Sequence, residues 1–158
     1  MDNILINPFT KFDKEWALVT AGNKDHFNSR TISWGSMGTL WSKSVITIYV
    51  RPERYTDSFL KDSEYFTVSF FKAEYRNDLG IMGTKSGRDI DKVKVTGLTP
   101  LFIEDNAITY KEAYETYLCK KIYTQKLNKE DFPSDVLHIY GENGLPHNMY
   151  VGEVIKKL

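Results

Sequence analysis

Residues 45–50, VITIYV, are an almost unbroken run of β-branched and aromatic side chains, and residues 51–56, RPERYT, end it abruptly. No other stretch limits the fold as strongly. An apolar run this short, rich in β-branched residues, reads as a central strand rather than a helix. Pro52 cannot extend a hydrogen-bonded ladder. Thr56 suits the N-cap of a short helix over 56–63, TDSFLKDS. The junction thus places Arg51, Arg54 and Thr56 beside a helix N-terminus, where free N–H groups and the helix dipole favour an anion. Forked guanidinium donors and a hydroxyl suit a phosphate. The same residues also suit a solvated strand–helix corner with Thr56 as a plain cap. Asp57, in the first helical turn, would repel a phosphate unless it turns away.

Strand signals dominate elsewhere. Residues 16–22 (WALVTAG), 30–36 (RTISWGS), 65–71 (YFTVSFF) and 149–158 (MYVGEVIKKL) read as strands, the last with Gly152 as a bulge. Segment 111–127 carries helix formers, but Tyr117, Cys119, Lys121 and Tyr123 alternate with Leu118, Lys120, Ile122 and Thr124, so strand period is preferred. A second short helix is expected over 74–83. Many strands with few helices and no βαβ series imply a mainly β protein, an antiparallel barrel with peripheral helices. No repeat, low-complexity segment or linker divides the 158 residues, a length that suits one domain.

Two further segments carry polar groups among glycines. In FNSRTISWGSMGTLW (27–41), Asn28, Thr31 and Ser33 can hydrogen-bond the edge of a flat heterocycle, and Trp34 can shield its face. Gly35 and Gly38 permit close backbone approach. A hairpin with core tryptophans fits the same letters. In GTKSGRDIDKV (83–93), Ser86 and Lys92 suit an anion, though an ordinary polar loop fits as well.

Composition removes several functions. Lys plus Arg and Asp plus Glu number 21 each, so the basic excess of a nucleic-acid binder is missing. No stretch approaches the ~20 apolar residues of a membrane span, and the N-terminus lacks a secretory pattern. A cytoplasmic protein with no membrane or nucleic-acid partner is expected. Cys119 is the single cysteine, so redox chemistry would need a bound cofactor. The three histidines are scattered, which argues against a metal centre. No GxSxG, P-loop or dinucleotide fingerprint is present. No catalytic side chain is assigned; the residues favour binding a phosphate-bearing aromatic molecule.

NSRTISWGSMGTLW, IYVRPERYTDSF and SGRDIDKVKVTGLTP, taken in that order and spacing, resemble the flavin reductase-like, FMN-binding split-barrel family, most closely its flavoredoxin-like branch. The resemblance continues through CKKIYTQKL and HNMYVGEVI and so covers nearly the whole chain, 1–158, as one domain. It implies a six-stranded Greek-key split barrel, FMN held non-covalently and a homodimer. By matching positions, Asn28, Arg30, Thr31, Ile32, Ser33 and Trp34 would line the flavin. Arg51, Arg54, Tyr55, Thr56, Ser86 and Lys92 would surround its phosphate end. Arg30 stands where members usually carry an apolar residue such as methionine, and Ser44 replaces a common proline.

The resemblance implies an oxidoreductase that passes electrons from NADH or NADPH through FMN to a small-molecule or protein acceptor. The flavin carries the chemistry and the protein orients it. A positive Arg30 or Lys92 near the ring would stabilise its reduced, anionic form. Two other functions remain open: an FMN-binding electron carrier without turnover of its own, and a barrel that has lost flavin and serves only in interaction.

Overall fold

The computed structural model describes residues 3–158; Met1 and Asp2 of the expected domain span 1–158 lie outside the described residues. In chain order the elements are β1 (Ala17–Gly22), β2 (Phe27–Ile32), β3 (Gly35–Leu40), β4 (Lys43–Val50), α1 (Tyr55–Asp62), β5 (Tyr65–Phe71), α2 (Arg76–Thr84), α3 (Lys92–Thr96), β6 (Pro100–Phe102), β7 (Ile108–Tyr110), β8 (Ala113–Lys126), α4 (Ser134–Tyr140) and β9 (Asn148–Lys157). One antiparallel sheet runs β2-β1-β5-β8-β9-β4-β3, and β6 pairs with β7 in a small ribbon. The fold is the mainly β split barrel expected, with seven strands in its sheet rather than six.

The extra strand comes from the segment read as one strand over 30–36. β2 ends at Ile32, opposite Ala17 of β1. β3 begins at Gly35, opposite Ile48 of β4. β2 and β3 are therefore the two edges of the sheet, and Ser33 and Trp34 carry the chain across the split between them. Local alternation could not show this, because Ile32 and Trp34 keep the apolar spacing while the pairing partner changes.

The concave side of the sheet is filled by large side chains. Phe66, Phe70, Tyr117, Tyr150, Ile46 and Ile48 are all 0–1% exposed. β4 behaves as the sequence requires: Val45, Ile46, Ile48 and Val50 are buried, and it lies between β9 and β3. β8 is a long strand, as expected for 111–127, and its register against β9 shifts between Leu118 and Cys119 and between Lys121 and Tyr123.

Gly152 is not the bulged residue. It pairs with Ile46 of β4 and Lys121 of β8, and the extra residue at the register shift beside it is Ile122 on β8. A Cβ there would lie 2.6 Å from Phe66 Cζ and 2.7 Å from Cys119 Cβ. The glycine lets the core approach the strand. Gly152→Ala is expected to cost roughly 1–3 kcal/mol through overpacking, read as a drop of several degrees in Tm; an unchanged Tm would show the core yields there.

α1 also starts differently. Its N-cap is Arg54, in extended conformation with no side-chain cap bond; Thr56 is not the cap. The Thr56 side chain is 1% exposed and accepts a hydrogen bond from Asn28 Nδ2 at 2.8 Å. A tertiary partner on β2 has taken the hydroxyl that a local capping bond would have used. Asp57 turns away from that face, into the end of the barrel. It is 1% exposed and accepts from Tyr150 OH at 2.7 Å and Asn148 Nδ2 at 3.0 Å, with Lys61 Nζ at 2.9 Å.

Candidate functional site

β2 presents two faces. On one, Ser29 Oγ shares hydrogen bonds with Thr20 and Tyr110, both at 2.7 Å, and Thr31 Oγ1 donates to Leu79 O at 2.6 Å. These bonds fix the strand to β1, β7 and α2. On the other, Asn28 and Arg30 face the start of α1. The loop after α2 closes over them: a Cβ on Gly87 would run into Asn28 Oδ1 and come within 3.1 Å of the Tyr55 ring, so only glycine lets the loop pack this tightly.

Between these parts lies a cavity of about 370 Å³ that Asn28, Arg30, Arg54, Tyr55, Thr56, Ser86 and Lys92 all reach. Seven of the twelve expected site residues thus meet in one place. Lys92 arrives through α3, whose N-cap Asp91 accepts from Lys94 N at 3.1 Å and whose C-cap Gly97 takes a left-handed conformation at φ 73°. The Lys92 side chain is buried, and Nζ donates to Ser29 O at 2.7 Å and Met82 O at 2.9 Å. An ammonium has three N–H donors, so one is left for a ligand.

The cavity is strongly positive. Five cationic side chains line it (Arg30, Arg54, Lys85, Arg88 and Lys92) against two carboxylates, Glu53 and Asp89. Burial first, then the charges of Arg54 and Arg51, lowers Arg30 to about 10. Burial, then Arg30 and Arg54, lowers Lys92 to about 8. These cations feel one another more than any protein carboxylate. Among the described residues, Arg54 Nε is buried with no hydrogen-bond partner. A buried donor without an acceptor, set among mutually repelling cations, suits an anion.

Two smaller hollows adjoin the cavity. One, of about 190 Å³, is lined by Arg30, Thr31, Ile32, Ser33, Trp34, Arg51 and Arg54, together with His147. The other, of about 220 Å³, runs along Thr31, Ile32 and Ser33 past Trp16, Leu79 and Gly83. Arg51 therefore stands apart from Thr56, Ser86 and Lys92; its Nη2 donates to Ile139 O at 3.2 Å and Nη1 lies 3.8 Å from Glu53.

Gly35 and Gly38 do not bring backbone to this site. A Cβ on Gly35 would meet the Phe12 ring at 2.7 Å, and Gly38 faces open space. Trp34 and Trp41 are not core residues, at 45% and 62% exposed. His147, Trp16 and Leu79 line the hollows without having been expected there. No local motif marks them; only the folding of β9, the N-terminal segment and α2 onto β2 brings them in.

Another cavity, of about 560 Å³, lies on another face of α1 and is lined by Asp62, Glu64 and Asp105 with no lysine or arginine, so it does not suit an anion. Burial pushes the Cys119 thiol up, consistent with an inert core residue. Among the described residues no helix is long and apolar enough to cross a membrane, and no three His, Cys, Asp or Glu side chains gather as metal ligands would.

The sequence model of the flavin reductase like domain matches residues 9–157. Among solved structures, flavoredoxin from Methanosarcina acetivorans is similar with a TM-score of 0.72 at 20% identity, covering 100% of this chain and 75% of that one. An FMN-binding protein from Thermus thermophilus, solved with bound 1-cyclohex-2-enone, has a TM-score of 0.74 at 16% identity, covering 100% and 77%. An NADH:FAD oxidoreductase from Streptomyces globisporus has a TM-score of 0.69 at 14% identity, covering 91% and 74%. No curated protein matches the chain.

Proposed function

Because the chain belongs to the flavin reductase-like domain family, we propose that it binds FMN non-covalently and passes electrons through it from NADH or NADPH to a small-molecule or protein acceptor. The observation that carries this reading is the buried Arg54 Nε, without a partner among the described residues, in a cavity where five cations face two carboxylates. A phosphate fits that donor set. The Thr56 hydroxyl, already accepting from Asn28, keeps its own proton to donate. The Ser86 hydroxyl, the third Lys92 N–H and the first amides of α1 complete the shell. The ring system would lie along Thr31, Ile32, Ser33 and Trp34 beside the phosphate. When bound, FMN supplies hydride and single-electron chemistry; the protein's part is to orient it and hold positive charge near it.

Mixing the FMN-loaded protein anaerobically with NADH or NADPH tests the reductase reading. Bleaching of the flavin's visible band with either donor is expected. A flavin that reduces with dithionite but with neither nicotinamide would leave the electron carrier as the function. A homodimer in the cytoplasm is part of the proposal. Exposed Trp34, Trp41 and Leu145 supply apolar surface for a partner copy.

Thr56→Ala is expected to weaken FMN binding about tenfold to a hundredfold, the worth of one hydrogen bond to a charged group of roughly 1.5–3 kcal/mol. Calorimetric titration measures it, and an unchanged affinity would put the phosphate elsewhere. Binding should also depend on pH through Lys92. Its pKa near 8 lies below that of a free lysine, so in the absence of ligand its charge opposes folding below about pH 8. That opposition fades as pH rises from about 8 to the ordinary lysine range. FMN gains from the charged form, so its affinity should fall between pH 7.5 and 9. The fall should be absent in Lys92→Met; the same fall in that variant would exclude Lys92 as its source.

A further inference from the structure

Trp16 sits in the left-handed backbone region, at φ 65°, where a bulky side chain is a strained outlier. Such a conformation persists only when its surroundings fix it, and here they do on every side. Before it in the chain, Phe12 is buried against Phe70, with ring centroids 5.6 Å apart, and its carbonyl accepts from Trp16 N at 3.0 Å. Neighbouring Lys11 pairs with buried Glu115 at 2.7 Å. After it, Ala17 opens β1 opposite Ile32 of β2. From α2, Arg76 Cζ lies 3.1 Å from the centre of the Trp16 ring, and Arg76 Nη1 donates to Lys14 O at 2.6 Å. The guanidinium thus covers one face of the indole. The indole also borders the 220 Å³ groove, where it is the one aromatic lining residue among the described residues and no charged side chain lines it. Thr31, Ile32 and Ser33 line both this groove and the 190 Å³ hollow that Trp34 walls. Groove and hollow therefore adjoin along the residues given to the flavin ring system, with a tryptophan at each.

We propose that Trp16 binds the flavin ring system as the aromatic wall of the groove, and that Arg76 is the positioning residue that holds it there. The inference rests on the flavin reading and deepens it, since it names a residue that fixes where the ring lies. An ordinary negative φ at Trp16 would send the indole away from the groove. The turn anchored by Lys11 and Phe12 and the stacked guanidinium of Arg76 keep it in place. A side chain fixed before the ligand arrives loses little freedom on binding. A flat aromatic surface also meets a flat heterocycle whatever tail it carries. Trp16 therefore acts on the ring and not on the phosphate end, which Arg54, Thr56 and Lys92 would meet.

Calorimetric titration of the full chain with FMN, and with riboflavin, which lacks the phosphate, tests this in the wild type and in Trp16→Leu, Trp16→Phe and Arg76→Gln. Trp16→Leu is expected to weaken both ligands by the same factor, about tenfold, and so to leave the ratio of their affinities unchanged. Trp16→Phe, which restores a ring, should stay within about threefold of the wild type. Arg76→Gln should weaken both ligands, by less than Trp16→Leu does. Flavin emission supplies a readout that a merely structural role would not move, since an indole in contact with the ring quenches it. With saturating FMN in a Trp34→Phe background, adding Trp16→Phe should raise that emission. Unchanged emission, or wild-type FMN affinity in Trp16→Leu, would overturn this inference and leave the flavin reading standing. A changed FMN-to-riboflavin ratio in Trp16→Leu would put Trp16 at the phosphate end and overturn it as well. A wild-type chain that binds neither flavin would overturn the flavin reading, and this inference with it.

Discussion

Replacing both Arg30 and Arg54 with methionine is expected to move two measurements in opposite directions. FMN affinity should fall by more than a hundredfold, because each guanidinium offers charge-assisted hydrogen bonds worth roughly 1.5–3 kcal/mol. The ligand-free protein should meanwhile become more stable. Arg30 is lowered to about 10 by burial and by Arg54 and Arg51, and Arg54 keeps a buried Nε without an acceptor. Methionine retains the aliphatic stem and removes both the repulsion and the stranded donor. A gain of about 1 kcal/mol would appear as a rise of roughly 2–4 °C in Tm. The ordinary behaviour of a structural cation is the reverse, so a lower Tm with unchanged FMN affinity would show that these arginines hold the fold together instead of a ligand. Such a trade between stability and binding is common where a site stores unfavourable charge for its ligand.

The second large effect concerns the residue that most resisted a phosphate reading. Asp57 sits in the first turn of α1, beside Thr56, yet its carboxylate is buried on the far side among Tyr150, Asn148 and Lys61. Burial, with the hydrogen bond to Asp57, pushes the Tyr150 phenol up. Asp57→Ala would leave the Tyr150 hydroxyl and the Asn148 amide without acceptors in a closed space. The expected cost is roughly 3–5 kcal/mol, measured as a lower denaturant midpoint with unchanged slope. Adding Tyr150→Phe should recover part of the loss, since one stranded donor is then gone and the two sites are coupled. Purely additive effects would mean that Asp57 and Tyr150 do not depend on each other.

Much of this architecture was legible in the sequence, and the reasons for the rest are specific. β4 and β5 were readable because β-branched and aromatic residues crowd them and because both are buried in the sheet. β8 was readable from its alternation despite its helix formers. The split at Ser33 and Trp34 was not, since a strand's own pattern does not say which neighbour it pairs with. α3 and the β6–β7 ribbon were missed because elements of five and three residues are too short to show a period. For the site, the cluster Arg51, Arg54 and Thr56 signalled an anion through residue type alone. The geometry then divided it, sending Thr56 to one cavity and Arg51 to the next, with Arg54 lining both. Thr56 looked like a cap because capping is a local rule, whereas its partner Asn28 lies across the fold. Gly152 looked like a bulge because a sequence does not reveal Phe66 packed against its backbone.

Under the proposed function the cavity between Asn28, Arg54 and Lys92 would anchor the phosphate of FMN, and parallel titrations with FMN and riboflavin test this most directly. The two ligands share the ring system and differ in the phosphate. FMN is expected to bind at least about a hundredfold more tightly, as two or more charge-assisted hydrogen bonds require, and the protein to turn yellow when saturated. Equal affinity for the two ligands, or no binding of either, would contradict the assignment.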